Sequence, residues 1–259
     1  MNTDHLKTSQ CANQFLHSIE LLDAEKAIEA LQGFRLEGPQ WGGDFLWKNL
    51  MPFMGDEGDE FDDRPPTITK AGWAFLEQVL PVCFERGFNP LQDIPFEETL
   101  RYINTPLYPL MARLCREHDK RNEFGGNFYH SMTEISYISS DLYQGGEGCL
   151  GEADDNNLTV LHYVFGGTSF WQNFNTALPE YFHDALSTIE QMGGTWNALD
   201  NGGKTPLDYM QEGYHRYYSA PQTLDRDAEE FLSFYLKKMI SSHVKEPLPS
   251  RSTSMHKKM

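Results

Sequence analysis

Two ten-residue stretches constrain this chain more than anything else in it. The later one is Asp200-Asn201-Gly202-Gly203-Lys204-Thr205-Pro206-Leu207-Asp208-Tyr209. Asn-Gly-Gly makes a tight turn that needs positive φ. Thr205 suits a helix N-cap, and Pro206 suits the first helical position, where no amide partner is lost. Leu207 then faces a core. The earlier stretch, Asp154-Asp155-Asn156-Asn157-Leu158-Thr159-Val160-Leu161-His162-Tyr163, runs in the same order of turn, cap and core leucine. Upstream of the later copy, Ala185 to Met192 carries apolar residues at helical spacing, and Gly193-Gly194 stops that helix. The unit is thus a helix, a glycine stop, a short extended link, a turn and a second helix. Repeated units of this kind bury their apolar faces by stacking on one another.

The pattern resembles the ankyrin repeat, whose signature T-P-L-H-x-A follows a β-turn. The match is closest over residues 154–212, where Gly194-Thr195-Trp196-Asn197 stands at the family's extended link. Thr159 and Thr205 are 46 residues apart, against about 33 in the family, which puts the excess between Thr168 and Pro179. Phe75 to Pro90 resembles a second helix and its exit, with Pro81 expected to kink it. Thr105-Pro106-Leu107-Tyr108 is read as the next opening, and Gly42 to Trp47 as an earlier one. The core leucines are then Leu46, Leu107, Leu161 and Leu207.

The resemblance implies an all-α solenoid of stacked helical hairpins with short turns, insertions and helical caps. It implies that His162 hydrogen-bonds across repeats. It also implies a non-enzymatic role in binding a protein, through Asp155, Asn156, Leu158 and Tyr163 in one unit and Asn201, Lys204, Tyr209, Gln211 and Glu212 in the next. The aromatic insertion Thr168 to Phe174 either packs inward or anchors a partner, and Trp171 joins the candidate contacts on that ground.

The ends read as caps. Residues 13–22 and 24–31 form a helical hairpin with Asp23 as a cap, and residues 226–241 form an amphipathic helix. The expected layout is a flexible lead-in at 1–9, one repeat domain at 10–241 with an acidic insertion at about 55–66, and a disordered basic tail at 242–259.

Charge narrows the partners. Asp and Glu number 38 against 21 Lys and Arg, a net of −17. Six of those cations fall in residues 237–259, so the body is more acidic still. Such a surface repels nucleic acid and favours a protein partner with basic surface. No stretch approaches the length of a membrane span. The start lacks a basic flank and an apolar core, which suits a cytoplasmic protein or one secreted into a host cell without a cleavable signal.

Chemical motifs are lacking. Cys11, Cys83, Cys115 and Cys149 form no CxxC and read as reduced core thiols. The acidic run Gly55 to Asp63 lacks the register of a calcium loop. Cys115 and His118 share a helical turn without a third group to orient the base. His130, His183 and His215 read as isolated, and Gly202-Gly203-Lys204-Thr205 lacks the spacing of a phosphate loop. No catalytic residue, cofactor or metal is expected. Two contexts fit a binding scaffold: a bacterial effector that holds a host protein, and an acidic inhibitor or immunity protein that masks a basic surface. The opposing class is an enzyme with no recognisable motif.

Overall fold

The computed structural model describes residues 3–36, 41, 68–91, 105–133, 140–143, 145–166, 169–174, 178–218 and 226–243. The Gly42 to Trp47 opening with Leu46, the acidic insertion and residues 244–259 lie outside them. Ten α-helices are formed among the described residues: α1 Thr3–Glu20, α2 Ala24–Leu31, α3 Lys70–Glu85, α4 Leu107–Glu117, α5 Phe128–Thr133, α6 Val160–Gly166, α7 Ser169–Phe174, α8 Pro179–Gln191, α9 Pro206–Tyr217 and α10 Arg226–His243. A 3₁₀ turn, Ser140–Tyr143, falls between α5 and α6. Among the described residues, extended pairing is confined to isolated bridges, such as Ala153 with Thr159.

The N-terminal hairpin forms as the periodicity requires. Phe15 and Ile19 of α1 bury with Ala27, Ala30 and Leu31 of α2, and the Asp23 carboxylate accepts from the Lys26 amide at 3.1 Å. The helix starts earlier than expected. Residues 3–9, expected as a flexible lead-in, are helical, since no Gly or Pro interrupts Thr3 to Glu20. Pro81 lies inside a continuous helix. α3 runs through it, held by Val79 and Leu80 on one side and Cys83 and Phe84 on the other, all buried.

Four helices leave by the same route. A left-handed residue follows each one, and the next amide reaches back to a carbonyl five residues earlier. Asp23 bonds Ser18, Phe88 bonds Cys83, Lys120 bonds Cys115 and Gly194 bonds Ile189, at 2.8–3.0 Å. The left-handed residues are Leu22, Gly87, Asp119 and Gly193.

This exit corrects one sequence expectation. Thr105-Pro106-Leu107 does not open a repeat. Pro106 occupies the N-cap of α4 in a helical conformation with no side-chain cap bond. α4 then ends at the Asp119 exit and is followed by the Asn122 turn that leads into α5, as α8 ends at Gly193 and is followed by the Asp200 turn that leads into α9, so it is the second helix of its unit. T-P-L suits the start of any helix, which is why the tripeptide misleads. Leu107 and Leu161 are buried as expected; Leu207 is only half-buried.

Helices α5, α6 and α9 pack in sequence as one row, and α10 packs on α9. The second helices lie behind them, with α8 against the 3₁₀ turn. α7 sits in the insertion between α6 and α8. Its Phe170, Trp171 and Phe174 join Phe182, Tyr214 and Phe231, with ring centroids 4.8–6.5 Å apart. Trp171 is fully buried and donates its indole N–H to the Met210 carbonyl at 3.2 Å. Gly213 makes room for it, since a Cβ there would stand 3.0 Å from the indole nitrogen. Trp171 is therefore a core residue and not a partner contact: a side chain with no exposed surface offers a partner nothing.

Candidate protein-binding face

Three turn-and-helix openings share one hydrogen-bond plan. In the first step an Asx side chain organises the turn. Asp154 Oδ1 accepts from the Asn156 and Leu158 amides at 2.8 Å, and Asp200 Oδ1 accepts from the Gly202 and Lys204 amides at 2.8 and 2.7 Å. Asn122 Oδ1 does the same for the Phe124 and Gly126 amides at 3.0 and 2.8 Å. The left-handed position that closes each turn holds Gly125, Asn157 or Gly203.

The cap follows. The Thr159 amide donates to His162 Nδ1 at 3.0 Å, and the Thr205 amide to Asp208 Oδ2 at 2.7 Å. The Asn127 amide donates to His130 Nδ1 at 3.2 Å. Both imidazoles then reach the next unit. A carbonyl only accepts, so His130 Nε2 donates to Leu158 O at 2.9 Å and His162 Nε2 donates to Lys204 O at 3.2 Å. The turn tips pair as well: the Asp155 amide bonds Phe124 O and the Asn201 amide bonds Asn156 O, each at 3.1 Å.

The chain has an ankyrin-like repeat fold.

No family model matches the sequence. No curated protein matches it either. Among solved structures it is similar to the crystal structure of EF0377, an ankyrin repeat protein, with 18% identity and a TM-score of 0.37 over 80% of this chain and 94% of that one. The ankyrin-like character is carried by the recurrence within this chain, not by that distant likeness.

Asn127-Phe128-Tyr129-His130 forms a further ankyrin-like opening, so His130 is not the isolated residue expected from the sequence. Asn stands in for the capping Thr, and Phe-Tyr for Pro-Leu. The available signal was distance: His130 and His162 are 32 residues apart, close to the family period of about 33. His162 forms its expected bond across units.

The three turns and the helices they open present one continuous face. Asp155, Asn156, Asn201, Lys204, Gln211 and Glu212 are exposed on it, while Leu158, Tyr163 and Tyr209 are half-buried. Both tyrosines are tied down within their own units. Tyr163 donates to Asp154 Oδ2 and Tyr209 to Asp200 Oδ2, each at 2.7 Å. The ring edges meet the preceding unit's imidazole, with His130–Tyr163 and His162–Tyr209 centroids 5.3 and 5.4 Å apart. Burial and the Asp200 carboxylate push the Tyr209 phenol up to about 12. The Lys204 amide, then the Tyr209 hydroxyl, hold Asp200 below its ordinary range. Lys204 spends its charge locally, 2.7 Å from Glu212 and over the Tyr209 ring.

The face is acidic. Residues 119–126, 152–158 and 197–212 hold eight carboxylates against Lys120, Arg121 and Lys204. Burial lowers both imidazole pKa values, and each ring is held at both nitrogens. Burial likewise pushes the Cys83 and Cys115 thiols up. Among the described residues no group of three or more His, Cys, Asp or Glu could hold a metal, and no described helix is long and apolar enough to cross a membrane.

Proposed function

We propose that the ankyrin-like stack is a non-enzymatic scaffold whose turn tips and first helices hold a protein partner with basic surface. The supporting observation is the bonded ladder of turns. It fixes exposed Asp155, Asn156 and Asn201 in place before a partner arrives, so little ordering cost remains on binding. Leu158, Tyr163, Tyr209, Gln211, Glu212 and Lys204 complete the contact set. The surplus of carboxylates steers a cationic surface toward them.

Affinity capture with the full chain, compared with an Asp155→Lys, Asn201→Lys, Glu212→Lys triple variant, tests the reading. Proteins held by the wild type and released by the variant are the expected result. Their association rate falls with added salt, because exposed charges are screened over about 8 Å at physiological ionic strength. Equal capture by both chains, or a rate indifferent to salt, overturns it.

We read the setting as a bacterial effector that engages a host protein, secreted without a cleavable signal. Deleting residues 242–259 then abolishes export and leaves binding intact. The net charge of −17 also favours a second reading, an acidic inhibitor or immunity protein that masks a basic surface. In that case the same deletion changes neither location nor binding.

A further inference from the structure

Among the described residues, the unit opened by Asn127 shows only a short second helix. Four residues of 3₁₀ helix, Ser140–Tyr143, stand where the units before and after place α4, with 11 residues, and α8, with 13. Glycines 145, 146 and 148 follow, and Gly145 and Gly148 have positive φ. A cleft of about 300 Å³ opens between this loop and α4. That volume is at the lower end of the range for small-molecule sites.

The lining divides by chemistry. Ala112, Phe128 and Cys149 supply apolar wall, and Arg116, Lys120 and Arg121 supply cationic rim. Burial pushes the Cys149 thiol up, which keeps that wall uncharged. The carboxylates at the rim already have donors. Arg121 bonds Asp119 and Glu152 at 2.8 Å each, and the Asn127 amide group donates to Glu152 at 3.1 Å. Arg116 differs. Among the described residues it makes no ion pair with a carboxylate, and it interacts with the Cys149 thiol. In a chain of net charge −17, a guanidinium with no carboxylate partner among the described residues, beside an apolar wall, is a specific local arrangement.

We infer that this cleft is a second binding site, for a small ligand with an oxyanion on an apolar body. Arg116 and Lys120 grip the carboxylate or phosphate group, for which a guanidinium fork is matched. The body lies against Ala112, Phe128 and Cys149. None of the proposed partner contacts lines the cleft, so the inference stands apart from the scaffold reading.

The test is a titration of the full ¹⁵N-labelled chain with benzoate, phenyl phosphate, inorganic phosphate and benzylamine, read at the backbone amides. Benzoate, phenyl phosphate or both are expected to give saturable shifts at Gly145 and Cys149, and the stronger of the two identifies the oxyanion. Arg116→Gln is expected to weaken that binding about tenfold or more, and Ala112→Leu to weaken it by filling the recess. Arg216→Gln, remote from the cleft lining, leaves it unchanged. Thermal melts establish that the variants are folded. No saturable shift, equal affinity in Arg116→Gln, or equal response to benzylamine overturns the inference. So does inorganic phosphate binding as tightly as phenyl phosphate with no effect of Ala112→Leu, since the recess then holds no body.

Discussion

The His130 ring donates its Nε2 proton to the carbonyl of Leu158, 28 residues later, across 2.9 Å. The bond joins two units, and its imidazole donor is fully buried. Replacing His130 with Ala leaves the Leu158 carbonyl with only the Asp154 amide as donor, leaves the Asn127 amide without its described partner and opens a cavity. The expected loss is about 3 kcal/mol of unfolding free energy, read from urea unfolding. A loss under about 1 kcal/mol would show that the bond between units contributes little to the stack.

Thr205 and Asp208 cap α9 reciprocally. The Asp208 amide donates to Thr205 Oγ1 at 3.2 Å, and the Thr205 amide donates to Asp208 Oδ2 at 2.7 Å. Thr205→Ala is expected to cost about 1 kcal/mol, and Thr205→Ser only a few tenths. Chemical denaturation of the two variants side by side checks the difference. Equal losses would assign the effect to the threonine methyl group and not to the cap.

Acid is expected to weaken the fold in a defined window. Burial lowers the pKa of His130, His162 and His183 below the ordinary 6.5. The unfolded chain therefore takes up protons near 6.5 that the folded chain refuses. Stability from these groups is complete above about pH 6.5 and declines as pH falls toward the folded values. Asp200, held low by the Lys204 amide, acts in a separate window below its ordinary 3.8. Urea midpoints measured from pH 7.5 to 5.0 are expected to fall, and less steeply in a His162→Gln variant. A flat profile, or a rise on acidification, contradicts the neutral assignment of the rings.

Trp171 separates packing from recognition. Trp171→Ala is expected to cost about 3–5 kcal/mol, since it empties the centre of the Phe170, Phe174, Tyr214 and Phe231 cluster. Trp171→Phe keeps most of the volume, loses the bond to Met210 and remains folded. Its capture of partner is expected to match the wild type. A selective loss of capture in folded Trp171→Phe would return this residue to the binding surface.

The openings at Thr159 and Thr205 were legible because their turn chemistry is local. Asp, Asn and Gly fix the reversal, and Thr fixes the cap within ten residues of sequence. Asn127 was not legible, because Asn caps helices as well as Thr does without completing the familiar tetrapeptide. Its unit also lacks a full second helix among the described residues to confirm the period. Thr105 misled for the converse reason: its tripeptide is a good helix start that the surrounding chain uses in the other role. The inward turn of Trp171 depends on Gly213, 42 residues away, and no local pattern announces such a pairing. The exposure of Asp155, Asn156 and Asn201 was readable because turn tips are exposed wherever helices stack.

Asp208 gives the array a direction. At the places of His130 and His162 the chain carries an imidazole whose Nε2–H donates a hydrogen bond to the next unit; at the last it carries a carboxylate, which only accepts. An extra unit spliced after α9 would meet no outgoing donor there, so lengthening this protein by copying its own repeat requires Asp208→His first.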